Sequence, residues 1–366
     1  MSSWLVFRGS GEPHNGIDDL PPPPNWRRFD GGPPMPVPGN SADPTIGRRL
    51  GRRRPALAGH TNPNAVHMVN AALYLRRPLL VTGKPGVGKS ALAYEVAHEL
   101  GLGPVLTWPI SSRSTLAEGL YQYDPIGRLR EENLRQLREG QPRTDSVAAD
   151  ASPPTGGVSR PDLNGTDADE ASIGRYLTLG PLGTALLPYD RPRVLLIDEI
   201  DKSDIDLPND LLNVFEEGEY VIPELRRLTK TAPRVNVLTA DEDVSATVSA
   251  GRVRCRAFPF VVLTSNGERE FPHAFLRRCL RLTLTEPEPD QIAAMVEAHL
   301  GADVAAKARE MIEAFVTNRN GTGVYATDQI LSAIYLRFSR SDTDSDAAMM
   351  QTVRAVLSDL SMSGPG

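Results

Sequence analysis

The chain has 366 residues, 40% hydrophobic and 23% charged, and a net charge of −6. That length and apolar content supply core for two or three compact units and exclude a disordered chain. The acidic balance excludes general attraction to nucleic acid or an anionic membrane surface, and two cysteines, Cys255 and Cys279, are too few for a disulfide framework or a structural zinc site.

Residues 1–59 are rich in Pro and Gly, with PPPP at 21–24 and GGPPMPVPG at 31–39, and such a segment cannot form a regular ladder. It reads as an extended arm with Trp4, Trp26 and Phe29 as candidate anchors. Only four large apolar residues precede Arg8, too few for the core of a signal peptide, and no later run reaches transmembrane length, so a soluble, cytoplasmic protein is expected. The basic run GRRLGRRRP, 47–55, closes the arm as a solvated linker or as a phosphate-contacting patch.

Residues 60–285 read as an α/β core. NPNAVHMVNAALYLRR has helical periodicity, with Val66, Val69, Leu73 and Leu75 on one face. PLLVTG (78–83) is a short apolar run of the kind buried on both faces of a parallel sheet, SALAYEVAHELG a helix ending at Gly101, and PVLTWPI (104–110) a second strand. LYQYDPIGRL follows, where Tyr121, Tyr123 and Asp124 either pack between sheet and lid or face a substrate. Between about 128 and 175 a short charged helix leads into a polar, Gly- and Pro-rich stretch expected to be a mobile insertion. The strand pattern resumes in RVLLIDEI (193–200) and AFPFVVLTSN (257–266), with the helix LPNDLLNVFEEGEYVI between them. Residues 286–366 show helical spacing throughout and form the expected lid domain.

Three segments carry chemistry. GKPGVGKS satisfies G-x-x-x-x-G-K-[ST] between a strand and a helix. Gly83, Lys84, Pro85, Gly86, Val87, Gly88, Lys89, Ser90 and Ala91 then form a phosphate cradle: glycines turn backbone N–H groups inward, Lys89 reaches the terminal phosphates, and Ser90 holds magnesium. VLLIDEI delivers Asp198 and Glu199 to the carboxyl edge of the sheet, Asp198 to support Mg²⁺ and Glu199 to orient or deprotonate a water. VVLTSN ends in Asn266, placed to contact the attacking water or the γ-phosphate. ATP and Mg²⁺ are the expected cofactors, with the choice between adenine and guanine unmarked by any motif.

The order GKPGVGKS, LLIDEID, LTSN and FLRRC resembles the AAA+ ATPases over residues 60–340. Within them DEIDKSDIDLPNDLLNVFEEGEYVIPE and TSNGEREFPHAFLRRCLRL are most similar to the MoxR branch, in which the helix after the acidic pair leads into a short hairpin insert. The resemblance implies an α/β P-loop fold with a helical lid and a homo-oligomeric ring, usually of six. Arg278, or alternatively Arg277, would be the arginine finger reaching a neighbour's γ-phosphate. It also implies chaperone-like remodelling of a separate protein, with von Willebrand A domain proteins as the first partner class. Two departures stand out. Lys89 and Asp198 lie 109 positions apart, which the 128–175 insertion accounts for, and that insertion would bind a partner or face the pore. The lid has Thr327, Asp328 and Gln329 where the family commonly places a sensing Arg, leaving Gln329 or Arg337 for that role. The competing expectations are a nucleotide-gated scaffold with little turnover and a nucleic-acid remodeller.

Overall fold

The computed structural model describes residues 4–39, 50, 62–139, 173–319 and 327–338. Most of the GRRLGRRRP run and positions 140–172 of the expected insertion lie outside them. Asn62 starts α1 (Pro63–Leu75) by accepting the Asn64 N–H on its side chain, and Pro63 occupies the first turn, where its missing N–H costs nothing. Arg76 ends the helix in the left-handed conformation, donating from Nη1 to Leu73 O and from Nη2 to Pro21 O. The chain continues through β1 (Leu79–Thr82), α2 (Ala91–Glu99), β2 (Leu106–Pro109), α3 (Leu116–Leu120), β3 (Tyr121–Tyr123) and α4 (Pro125–Glu139). Then come β4 (Leu177–Leu179), α5 (Pro181–Ala185), β5 (Val194–Asp198), α6 (Leu207–Glu217), β6 (Glu219–Val221) and α7 (Pro223–Arg227). They are followed by β7 (Arg234–Leu238), β8 (Ser245–Ser249), β9 (Arg252–Arg254), β10 (Phe260–Ser265), α8 (His273–Arg278) and β11 (Leu280–Thr283). Last are α9 (Pro289–Leu300), α10 (Ala302–Lys307), α11 (Arg309–Arg319) and α12 (Thr327–Phe338).

The described residues fall into two compact units, one within Met1–Leu116, Ala185–Gly218 and Arg254–Gly366, the other within Ala117–Thr184 and Glu219–Val253. Among the described residues, the first unit holds a parallel sheet of order β11-β1-β10-β5-β2. Its inner strands are the continuous apolar runs, and every residue of β10 is buried. Register aligns Thr82 with Ser265 and Pro109 with Asp198, so the polar strand ends share one edge, where open α/β sheets bind ligands. β11 escapes the sequence reading because it is an edge strand. In LRLT only Leu282 is fully buried, so no apolar run announces it. Leu75, expected on the buried face of α1, is 39% exposed, because it is two positions from Leu73 and two residues turn the helix by more than half.

The N-terminal arm is part of the first unit's core. Val6 and Phe7 are buried, and their N–H groups both donate to Asn70 Oδ1, at 2.7 and 3.0 Å. The buried Glu99, at the end of α2, accepts backbone N–H groups from Arg8, Gly9 and Gly11 and lies 3.1 Å from His14 Nε2. Trp4 stacks on His67 and Phe29 on Phe258, but Trp26 is 79% exposed and anchors nothing; its neighbour Arg27 is the buried residue. Farther along the unit, α9 to α12 gather Ile292, Val296, Ile312, Phe315, Ile330 and Ile334 into a separate apolar cluster. A capping box between Glu288 and Gln291 starts α9.

The second unit holds a sheet of order β3-β4-β7-β8-β9-β6, where only a short hairpin was expected after α6. Its strands are short and buried on one face: in β7 and β8, Val235, Val237, Ala246 and Val248 are covered while their neighbours are exposed. Tyr121 and Tyr123 belong to this sheet, with Tyr121 Oη donating to Glu224 Oε2. At Gly183 a Cβ would overlap Leu120 O, so only glycine allows that approach. Among the described residues no helix is long and apolar enough to cross a membrane.

Candidate functional site: the phosphate loop and the carboxylate edge

The loop from β1 to α2 curls because Gly86 and Gly88 sit at φ +79° and +89°, which β-carbon-bearing residues adopt at a cost. A Cβ on Gly88 would meet no atom within 4 Å, so no packed side chain covers this position. Lys89 is buried and donates from Nζ to Gly83 O (2.8 Å), Lys84 O (2.9 Å) and Asn266 Oδ1 (2.7 Å). Its pKa is lowered by burial, while Asp201, Asp198 and Glu199 draw it back up. Lys84 itself reaches out to Glu286 at 2.7 Å.

The carboxylate edge meets this loop directly. Ser90 Oγ donates to Asp198 Oδ1 at 2.7 Å, and Thr264 Oγ1 donates to the same oxygen at 2.6 Å. Thr264 in turn accepts the Glu199 N–H at 2.8 Å. Glu199 stands at φ 62°, ψ 48°, a left-handed conformation that costs a residue with a side chain about 1–2 kcal/mol. That strain turns the chain sharply after Asp198 and separates the directions of two adjacent carboxylates. The Glu199 carboxylate is half exposed and ion-pairs with Lys202 Nζ at 2.7 Å.

A magnesium–nucleotide complex fits these residues. Ser90 Oγ and Asp198 Oδ1 are adjacent hard oxygen donors, and among the described residues no cluster of three or more His, Cys, Asp or Glu offers an all-protein cage. Magnesium is ordinarily bound by one or two such groups together with phosphate oxygens. Beside Gly88 a cavity of about 130 Å³ is lined by Val87, Leu92, Leu284, Pro287 and Met295 together with the polar Asn62, Glu95, Thr285 and Gln291.

A model of the AAA domain, dynein-related subfamily, matches residues 78–278, more than half of the chain. The chain belongs to this AAA family. No curated protein matches it. The AAA match runs from the residue before β1 to the last residue of α8 and so takes in the phosphate loop, both carboxylates, Asn266 and both candidate arginines. With the parallel sheet flanked by helices and the helices that follow it, this is the α/β fold of an AAA+ ATPase.

Within the AAA site hydrogen bonds pair Lys89 with Asn266 and Ser90 with Asp198, and Thr264 bridges Asp198 Oδ1 to the Glu199 N–H. Arg278 is not in this cluster: its Nε donates to Glu216 Oε1 at 2.9 Å and its Nη1 to Ala274 O. Arg277 is exposed beside it. Gln329 and Arg337 both lie on α12, Gln329 partly buried and Arg337 exposed.

Two polar residues escaped the sequence reading. Thr264 is hidden in an apolar strand, and only its hydroxyl marks it. Asp201 is 4% exposed, and its Oδ2 accepts the N–H groups of Asn266 (2.9 Å) and Glu268 (3.2 Å), while Oδ1 has no hydrogen-bond partner. It fixes the backbone that presents Asn266 to Lys89. The signal available was a third acidic residue, two positions after Glu199, in LLIDEID.

Proposed function

We propose that this AAA protein hydrolyses ATP as a MoxR-like oligomeric ring and uses the cycle to remodel or activate a separate protein, with von Willebrand A domain proteins as the first client class to test. The observation that carries the catalytic part is the Lys89–Asn266 and Ser90–Asp198 pairing around the glycine cradle. Backbone N–H groups and Lys89 bind the β- and γ-phosphates, and Ser90 with Asp198 holds the metal. Magnesium, when bound, neutralises charge developing on the phosphate oxygens. Glu199 orients or deprotonates the attacking water, after exchanging its Lys202 partner for that water, and Asn266 holds the water or the γ-phosphate. The finger is Arg278, acting on the nucleotide of an adjacent subunit.

The ring and the client rest on the resemblance of DEIDKSDIDLPNDLLNVFEEGEYVIPE and TSNGEREFPHAFLRRCLRL to the MoxR branch. Steady-state ATPase of wild type and Glu199→Gln tests the catalytic part: measurable turnover in the first and its loss in the second are expected. Background rates in both would instead favour a nucleotide-gated scaffold. That second reading has one observation of its own, the uncharged Gln329 where the lid would carry an arginine. Pull-down with the ATP-trapping Glu199→Gln protein tests the client, and recovery of this chain alone counts against remodelling.

A further inference from the structure

The N-terminal arm and the candidate finger meet at a single carboxylate. Glu216, in the last turn of α6, accepts Arg278 Nε on Oε1 at 2.9 Å, and its Oε2 lies 3.6 Å from Arg27 Nη1. Arg27 is fixed: it is 3% exposed, its Nη1 donates to Phe215 O at 2.6 Å, and its guanidinium lies 5.4 Å from the centre of the Phe258 ring. Burial depresses its pKa, and Glu216 opposes that shift. Glu216 and Arg278 are each 42% exposed at the side chain, so the chain of charges runs from a buried, immobile cation to one that faces outward.

We infer that Glu216, anchored by Arg27, is a positioning residue that sets the Arg278 guanidinium for the nucleotide of a neighbouring subunit. This rests on the reading of Arg278 as a finger acting across a subunit interface. The contact to Nε holds the rear edge of the planar fork and fixes its plane, and among the described residues Nη2 makes no hydrogen bond. Phosphate recognition needs that free edge. Arg277 is exposed and among the described residues pairs with no carboxylate, which separates the two arginines that the sequence offers as finger candidates. An exposed ion pair adds little to stability, so the worth of this one lies in orientation. Because a displacement of about 1 Å costs on the order of 10²-fold in rate, partial loosening of the fork should cost about tenfold.

The test uses the full-length chain and ATP turnover. Glu216→Gln keeps the size and one acceptor oxygen but removes the charge; kcat falls about tenfold while KM stays within about twofold. In an Arg278→Ala background the same substitution has no further effect. Arg27→Lys keeps the charge but not the planar fork, and it lowers kcat in the same Arg278-dependent way. Unchanged or increased kcat in Glu216→Gln overturns the inference, an increase meaning that Glu216 sequesters the arginine. A further loss in the Arg278→Ala background also overturns it, because Glu216 would then act through the fold. The finger reading is tested separately by mixing Arg278→Ala with Glu199→Gln subunits. Recovered turnover requires one subunit's arginine to serve its neighbour's intact Glu199, and no recovery defeats that reading whatever Glu216→Gln does.

Discussion

Asp201→Ala should unsettle the catalytic edge without touching nucleotide. Asp201 Oδ2 serves the amides of Asn266 and Glu268, and hydrogen bonds to a charged acceptor contribute about 1.5–3 kcal/mol each. Against this, Oδ1 is buried with no partner, so its removal returns about 1–3 kcal/mol. With like ends of the two ranges paired, the net expectation is a loss of about 2–3 kcal/mol. Asp201→Asn still offers an oxygen to both amides and should cost only about 1 kcal/mol. Freed backbone lets Asn266 drift from Lys89, and a drift near 1 Å lowers turnover by about 10²-fold. Urea denaturation followed by circular dichroism gives the first quantity and steady-state ATP hydrolysis the second. If the Ala variant matches wild type in both, or if Asn is as damaging as Ala, Asp201 does not act by holding these amides.

Four further outcomes are expected. Gly88→Ala puts a side chain at φ +89°, a strain of about 1–2 kcal/mol in the loop, so nucleotide affinity should drop about tenfold; unchanged affinity in a fluorescent-nucleotide titration would place the phosphates elsewhere. Arg278→Ala should bind ATP within about twofold of wild type and hydrolyse about 10³-fold more slowly, and a normal single-turnover rate would remove Arg278 from the reaction. Native protein at pH 8 should show less than about one thiol per chain to a disulfide reagent, since Cys255 and Cys279 are buried and burial lifts the Cys279 thiol from its ordinary 9.0 to about 12. A raised folded pKa favours the native state fully below about pH 9 and stops doing so as pH rises through about 12, so alkaline titration should destabilise wild type more than Cys279→Ala.

The central sheet was legible where burial on both faces wrote continuous apolar runs: PLLVTG, VLLID and FVVLTS. Those strands also end in the residues that carry the chemistry, so the loop, the carboxylates and Asn266 could be placed from order alone. The second sheet left no such mark. Its strands are three to five residues long, covered on one face, and drawn from two stretches far apart in the chain. Periodicity within a window cannot register pairing between windows. The same limit hid Asp201, Thr264 and Glu216, whose importance comes from partners 62 to 67 positions away. Composition marked the arm as extended but did not mark which residues anchor it: among the described residues Val6, Phe7 and Arg27 are buried while Trp26 is exposed.

That arm constrains the order in which the protein can be assembled. Val6 and Phe7 wait for Asn70, 64 and 63 positions later, and Arg8 for Glu99, 91 positions later. Until those partners exist, the strap is an exposed apolar segment and Glu99 a carboxylate without its amides. Contacts of such long sequence separation close slowly. A cell making this chain therefore carries a window in which the strap is available to holdases or to another nascent copy.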